Sequence, residues 1–98
     1  MADNISIAVV TGGGNGIGRA LCKRLHRDGA SVVVVDLDKE AAEEVAAEVD
    51  GIAHAVDVGD EAAISAMIED VEANVGPIDL FASNAGVVFG DGASGSAA

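Results

Sequence analysis

The chain reads as an α/β fold with a doubly wound parallel sheet. Three observations predict it. Four short strand-like runs, the first two rich in β-branched residues, alternate with three helical patterns. The second of these runs, SVVVVD, is apolar on both faces, as a strand must be when helices cover both sides of its sheet. A glycine-dense turn, TGGGNGIG, lies between the first strand and the first helix. The order β-α-β-α-β-α-β with short connections calls for right-handed crossovers and strand order 3-2-1-4.

Each element carries its own signal. Residues 5–10 form a β-branched run that ends at the glycines. Ile17, Ala20, Leu21 and Leu25 then recur at helical spacing, and Asp28-Gly29 ends that helix. Residues 31–36 are the second strand. Asp38 is placed to cap a second helix, whose apolar stripe is Ala42, Val45, Ala46 and Val49, with Glu43, Glu44 and Glu48 outward; Gly51 closes it. Residues 52–56 are the third strand. Asp60 caps the third helix, with Ile64, Met67, Ile68, Val71 and Val75 as its stripe, and Gly76-Pro77 stops it. Residues 78–82 are the fourth strand. From Gly90 onward GDGASGSAA keeps no period, so residues 1–90 read as one domain and 91–98 as a flexible Gly/Ser/Ala tail.

Composition narrows the function. Seventeen acids against five Lys and Arg give a formal net charge of −12, which disfavours nucleic acid and anionic membrane as partners. No apolar run approaches the length of a membrane span and no signal peptide is written, so a cytoplasmic location is the default expectation. Cys22, the single cysteine, falls within a helical pattern and reads as a small core residue. His26 lies on a polar helix face and His54 in a strand, and neither has a partner that suggests acid–base work. No metal site is indicated.

In a sheet of order 3-2-1-4 the chain reverses direction between strands 1 and 4, leaving a crevice at the carboxyl ends of the strands, where ligands bind. The glycines stand at that crevice. A helix start offers unpaired N–H groups and a partial positive charge, which a pyrophosphate satisfies if no Cβ holds the backbone away. Gly12 allows the tight turn, Gly16 lets the backbone approach the phosphates, and Gly18 lets the helix pack closely on the sheet. No Lys-Ser or Lys-Thr follows, so this is not a nucleoside-triphosphate loop. Asp36, at the end of strand 2, is placed to accept hydrogen bonds from the hydroxyls of an adenosine ribose. A 2′-phosphate about 4 Å away would be repelled by about 4 kcal/mol per unit charge pair at an effective dielectric near 20. Its neighbours Leu37 and Asn15 supply no rescuing base, so NAD is favoured over NADP. Asp57 ends strand 3, where a carboxylate can accept an adenine amino proton, and Asn84 can bridge neighbouring strands through its amide.

With Thr11-Gly12-Gly13-Gly14-Asn15-Gly16-Ile17-Gly18 read in this context, the chain resembles the short-chain dehydrogenase/reductase family, whose loop is Thr-Gly-x-x-x-Gly-x-Gly. Asp36, the pair Asp57-Val58 and the motif Asn84-Ala85-Gly86 match that family in order and interval, over roughly residues 5–90. The resemblance implies a Rossmann-type fold and a cofactor-binding set of Thr11, Gly12, Gly14, Asn15, Gly16, Ile17, Gly18, Asp36, Leu37, Asp57, Val58, Asn84, Ala85 and Gly86. It implies a parent activity of hydride transfer between a nicotinamide cofactor and an alcohol or carbonyl compound. The family's catalytic Ser, Tyr and Lys, the last two as Tyr-x-x-x-Lys, have no counterpart: the chain contains no tyrosine, Lys23 and Lys39 belong to the nucleotide half, and Ser83 belongs to strand 4. No catalytic residue is therefore assigned.

The expectation is a nucleotide-binding amino-terminal portion of such an oxidoreductase, inactive alone. Three alternatives stand beside it: a free-standing regulatory module, half of a split enzyme, and an S-adenosylmethionine methyltransferase fragment. Strand 4 is expected to be an open edge. That edge would invite self-association or a complementing carboxyl-terminal half.

Overall fold

The computed structural model describes residues 5–83 and the backbone of residues 86–89. Its elements run β1 (Ile7–Thr11), α1 (Gly16–Arg27), β2 (Ser31–Asp36), α2 (Lys39–Glu48), β3 (Ile52–Ala55), α3 (Glu61–Asn74), β4 (Leu80–Ser83) and β5 (Gly86–Phe89). The sheet has the order β3-β2-β1-β4-β5, and the first four strands are parallel, as the sequence predicts.

Period-two alternation sorts the strand residues onto two faces. Ala8, Val10, Val32, Val34, Leu80 and Ala82 meet Cys22 and Leu25 of α1 and Ala42, Val45 and Ala46 of α2. Val9, Val33, Val35 and Phe81 turn the other way, onto Met67, Val71, Ile64 and Ile68 of α3. The all-apolar β2 is thus covered twice, which is why it carries no polar alternation.

The helix starts follow the caps read from sequence. Asp38 accepts the Ala41 N–H and Asp60 accepts the Ala63 N–H, each at 3.1 Å. Gly29, at φ +98°, follows the α1 C-cap Asp28 in the left-handed region that a side chain disfavours. Asp79 carries a constraint that the sequence did not announce. Its carboxylate accepts the N–H groups of Ser6 at 2.9 Å and Ile7 at 3.1 Å, and its own N–H donates to the Ile7 carbonyl at 2.9 Å. These bonds pin the start of β4 to the start of β1.

Two expectations are corrected. The buried face of α1 is Gly18, Cys22 and Leu25, with Leu21 partly covered; Ile17 and Ala20 are exposed. Gly18 has no side chain, so a stripe traced through apolar side chains passes it by and is rotated. The second correction concerns the sheet edge. β4 is not open, because β5 pairs with it antiparallel from Leu80↔Phe89 to Ser83↔Gly86. Gly86-Val87-Val88-Phe89 is a short β-type run separated from β4 by two residues, which is hairpin spacing. The outer strands are β3 and β5. The tail expected after Gly90 lies outside the described residues.

Candidate functional site

The carboxyl ends of β1, β2, β3 and β4 open onto a cleft of about 570 Å³. It is lined by Thr11 of β1 and Gly12 after it, Asp36 of β2 and Leu37 after it, Val56, Asp57 and Val58 after β3, Ile64 of α3, and Phe81 and Ser83 of β4. This is the crevice that the strand order demands.

One wall is the glycine turn. Thr11 is buried and points its hydroxyl at the Ala82 carbonyl, 3.5 Å away, across the β1–β4 boundary. Gly12 turns the chain with φ +66°. Gly13 donates its N–H to the Val35 carbonyl at 3.1 Å, and Gly14 donates to the Asp36 Oδ2 at 3.0 Å. Gly16 opens α1 at φ +54°, and nothing stands within 4 Å of where its Cβ would be. That open approach is what a phosphate needs.

Gly18 has the opposite surroundings. A Cβ there would lie 2.1 Å from the Gly12 carbonyl oxygen. Its role is to seat the helix on the glycine turn itself, closer than the sheet contact expected from sequence. Asn15 occupies the N-cap position with no side-chain cap bond. The first N–H groups of α1 have no carbonyl one turn back inside the helix, and the first such bond runs from Arg19 to Asn15.

The other wall is built by two strand-end acids. Asp36 accepts the Asp38 N–H on Oδ1 at 3.0 Å, and Asp57 accepts the Gly59 N–H on Oδ1 at 2.8 Å. Each bond spans two residues and turns the chain away from its strand toward the next helix. Both carboxylates are thereby fixed at the cleft with acceptor capacity left over, since an ionised carboxylate has about four lone-pair sites. Leu37 and Val58, the residues after each acid in the motif, are 73% and 57% exposed. They offer two apolar surfaces to the same cleft.

No base lines the cleft among the described residues. The two nearby cations are engaged elsewhere. Arg19 bonds Glu48 through Nε and Nη2 and stands 3.9 Å from Glu44, and Lys39 stands 3.9 Å from Glu43. The Arg19 hydrogen bond, then its charge, holds the Glu48 carboxyl below its ordinary range. Cys22 is buried behind Gly13, and burial pushes its thiol up to about 11. His54 sits 3.6 Å from Asp70, on the α3 side of the edge strand and away from the cleft lining.

Of the residues singled out in sequence, Thr11, Gly12, Asp36, Leu37, Asp57 and Val58 line the cleft. Gly14 lies behind Asp36, while Gly16 and the 86% exposed Ile17 stand at the free start of α1. Gly86 begins β5 opposite Ser83. Asn84 and Ala85 lie outside the described residues. Sequence reasoning missed Val56, Ile64, Phe81 and Ser83 as lining residues. Strand parity carried the signal for two of them: Phe81 and Ser83 share the α3 side at the carboxyl end of β4. No group of three or more metal-ligating side chains occurs among the described residues.

A parallel sheet wound on both faces, with a glycine turn and a strand-end acid across one crevice, defines a Rossmann-type α/β domain. The sequence model of the short chain dehydrogenase family matches residues 6–97, and the chain belongs to that family. It is 40% identical over 84 residues to meso-2,3-butanediol dehydrogenase of Serratia marcescens, covering 83% of this chain and 34% of the relative. Two solved structures from Brucella melitensis superpose closely. One, described as ribose-5-phosphate isomerase, gives a TM-score of 0.79 at 44% identity, over 87% of this chain and 34% of the other. The second, 3-ketoacyl-(acyl-carrier-protein) reductase complexed with NADH, gives 0.76 at 36% identity, over 82% and 34%. The chain therefore spans about a third of the length of these relatives. The family match also removes the methyltransferase alternative.

Among the described residues no helix is long and apolar enough to cross a membrane.

Proposed function

We propose that this chain grips the adenosine and pyrophosphate part of NAD(H) for a short-chain dehydrogenase/reductase-type oxidoreductase. The observation that carries this reading is the glycine turn: Thr11 and Gly12 line the cleft beside Asp36, Gly14 is bonded to the Asp36 carboxylate, and the same turn leads into α1 at Gly16, whose backbone is open to approach. The N–H groups of Gly16, Ile17 and Gly18 hold the diphosphate. Asp36 accepts the ribose hydroxyls. Leu37 and Val58 flank the adenine, and Asp57 accepts its amino proton. The related reductase that holds NADH supports the choice of ligand class.

NAD is preferred to NADP because a 2′-phosphate would meet Asp36 with no base lining the cleft, while Arg19 and Lys39 are paired with glutamates. When bound, the nicotinamide supplies hydride chemistry, and the protein's part is to orient it. No residue of this chain matches the family's Tyr-x-x-x-Lys, so the chain alone is proposed to bind without turnover. Calorimetry with NADH and NADPH, beside an assay of NADH oxidation with a panel of carbonyl compounds, tests both statements. NADH binding tighter than NADPH, with oxidation no faster than a protein-free control, is expected. Equal affinities overturn the preference, and turnover overturns the inactivity. Activity that appears only on mixing with a partner carrying Tyr-x-x-x-Lys would favour the split-enzyme alternative over a free-standing module.

A further inference from the structure

We propose that Asp36 is a positioning residue for the glycine turn as well as a ligand acceptor. The inference deepens the NAD(H) reading and rests on it for its binding arm only. The turn after β1 is tied to the end of β2 at two neighbouring points. Gly13 uses a backbone acceptor, the Val35 carbonyl, which any residue there would supply. Gly14 uses a side chain, the Asp36 carboxylate, through Oδ2 at 3.0 Å. The same carboxylate holds the Asp38 N–H through Oδ1 at 3.0 Å, so one side chain fixes two of the turns that border the cleft. A hydrogen bond to an ionised acceptor is stronger than a neutral one, and this one is partly buried.

Gly14 has no room for a side chain. A Cβ there would stand 2.9 Å from Asp36 Oδ2 and 2.7 Å from the Ala41 Cβ. Glycine at 14 and aspartate at 36 therefore form a matched pair. Binding to a preset turn avoids the entropy of ordering it. The carboxylate that meets the sugar also shapes the backbone that meets the diphosphate.

The test uses the whole chain, isotopically labelled and without cofactor. A scalar coupling across the hydrogen bond between the Gly14 amide nitrogen and the Asp36 carboxyl carbon is expected, with slowed exchange at the Gly14 amide. In Asp36→Glu, which keeps the charge, and in Asp36→Asn, Gly14 exchange is expected to quicken by about two- to tenfold while Gly13 stays protected. No coupling in the wild-type chain, with Gly14 exchanging like an open amide, overturns the proposal, and this reading needs no variant to fold.

A second arm compares NAD with an analogue lacking both adenosine ribose hydroxyls. If Asp36 also positions the turn, Asp36→Glu weakens the analogue too, by about two- to tenfold. If the analogue binds wild type and Asp36→Glu equally, the carboxylate acts through the sugar alone and the positioning role is refuted. If wild type binds no NAD at all, the cofactor reading fails, while the Gly14 measurement still decides the tether.

Discussion

Gly16 and Gly18 stand two positions apart and do unlike work. At Gly18 a methyl group collides with the Gly12 carbonyl at 2.1 Å, so backbone must move. Gly18→Ala is expected to cost about 1–3 kcal/mol, as overpacking does. Gly16 faces open space, and its φ of +54° is the only obstacle, so Gly16→Ala should cost about 1–2 kcal/mol of left-handed strain and leave the helix seated. Urea unfolding separates the two. In an NADH titration the order should invert, with Gly16→Ala losing more affinity than its stability loss explains.

Cys22 gives a second test at this scale. Its buried thiol should resist iodoacetamide at neutral pH until the chain unfolds. Because its folded pKa, about 11, lies above the unfolded value, the native state holds the proton more tightly. Stability is then full below the unfolded thiol pKa and falls as pH rises toward 11. A Cys22→Ala variant should lose that alkaline slope.

At the scale of elements, the acidic N-caps Asp38 and Asp60 set where α2 and α3 begin. Asp38→Ala and Asp60→Ala should each cost about 1 kcal/mol, and the double variant should show the sum, since the caps share no partner. α1 and α2 are linked by Arg19 and Lys23 reaching Glu48. The lowered Glu48 carboxyl means that this link is present above the ordinary glutamate range and is lost as pH falls through its folded value. Glu48→Gln should therefore flatten the acid limb of the stability profile and remove the part of the salt dependence that comes from screening this surface pair.

These elements were legible because their signals are local: a cap, a stripe, a β-branched run. Asp38, Asp60 and the stripes of α2 and α3 stand where the spacing put them. The α1 stripe was misread because its first buried position is a glycine. Strand β5 escaped because it pairs antiparallel outside the β-α alternation from which the other strands were read. The Asp79 clamp and the Asp36–Gly14 bond join residues far apart in sequence, and no spacing rule reports them.

For the whole molecule, the strand order was readable from the alternation of elements, and it placed the cleft. What sequence could not give was which side chains meet there. Asp36 and Asp57 were found because each ends a strand, whereas Phe81 and Ser83 depended on the register of β4 against β1. The chain matches the short-chain dehydrogenase family over about a third of its relatives' length. The pairing of β4 with β5 closes the edge through which self-association was expected. Equilibrium sedimentation is therefore expected to give a monomer, and a concentration-dependent dimer would point to β3 or β5 as the joining edge.

The most direct test of the central claim is an amide-resolved NMR titration of the labelled chain with NADH. Saturable shifts should appear together at Gly12, Gly16, Ile17, Leu37 and Val58, and leave the far ends of the strands near Ile7 and Ser31 still. Shifts absent at millimolar cofactor, or gathered anywhere but the carboxyl-end cleft, would contradict the account.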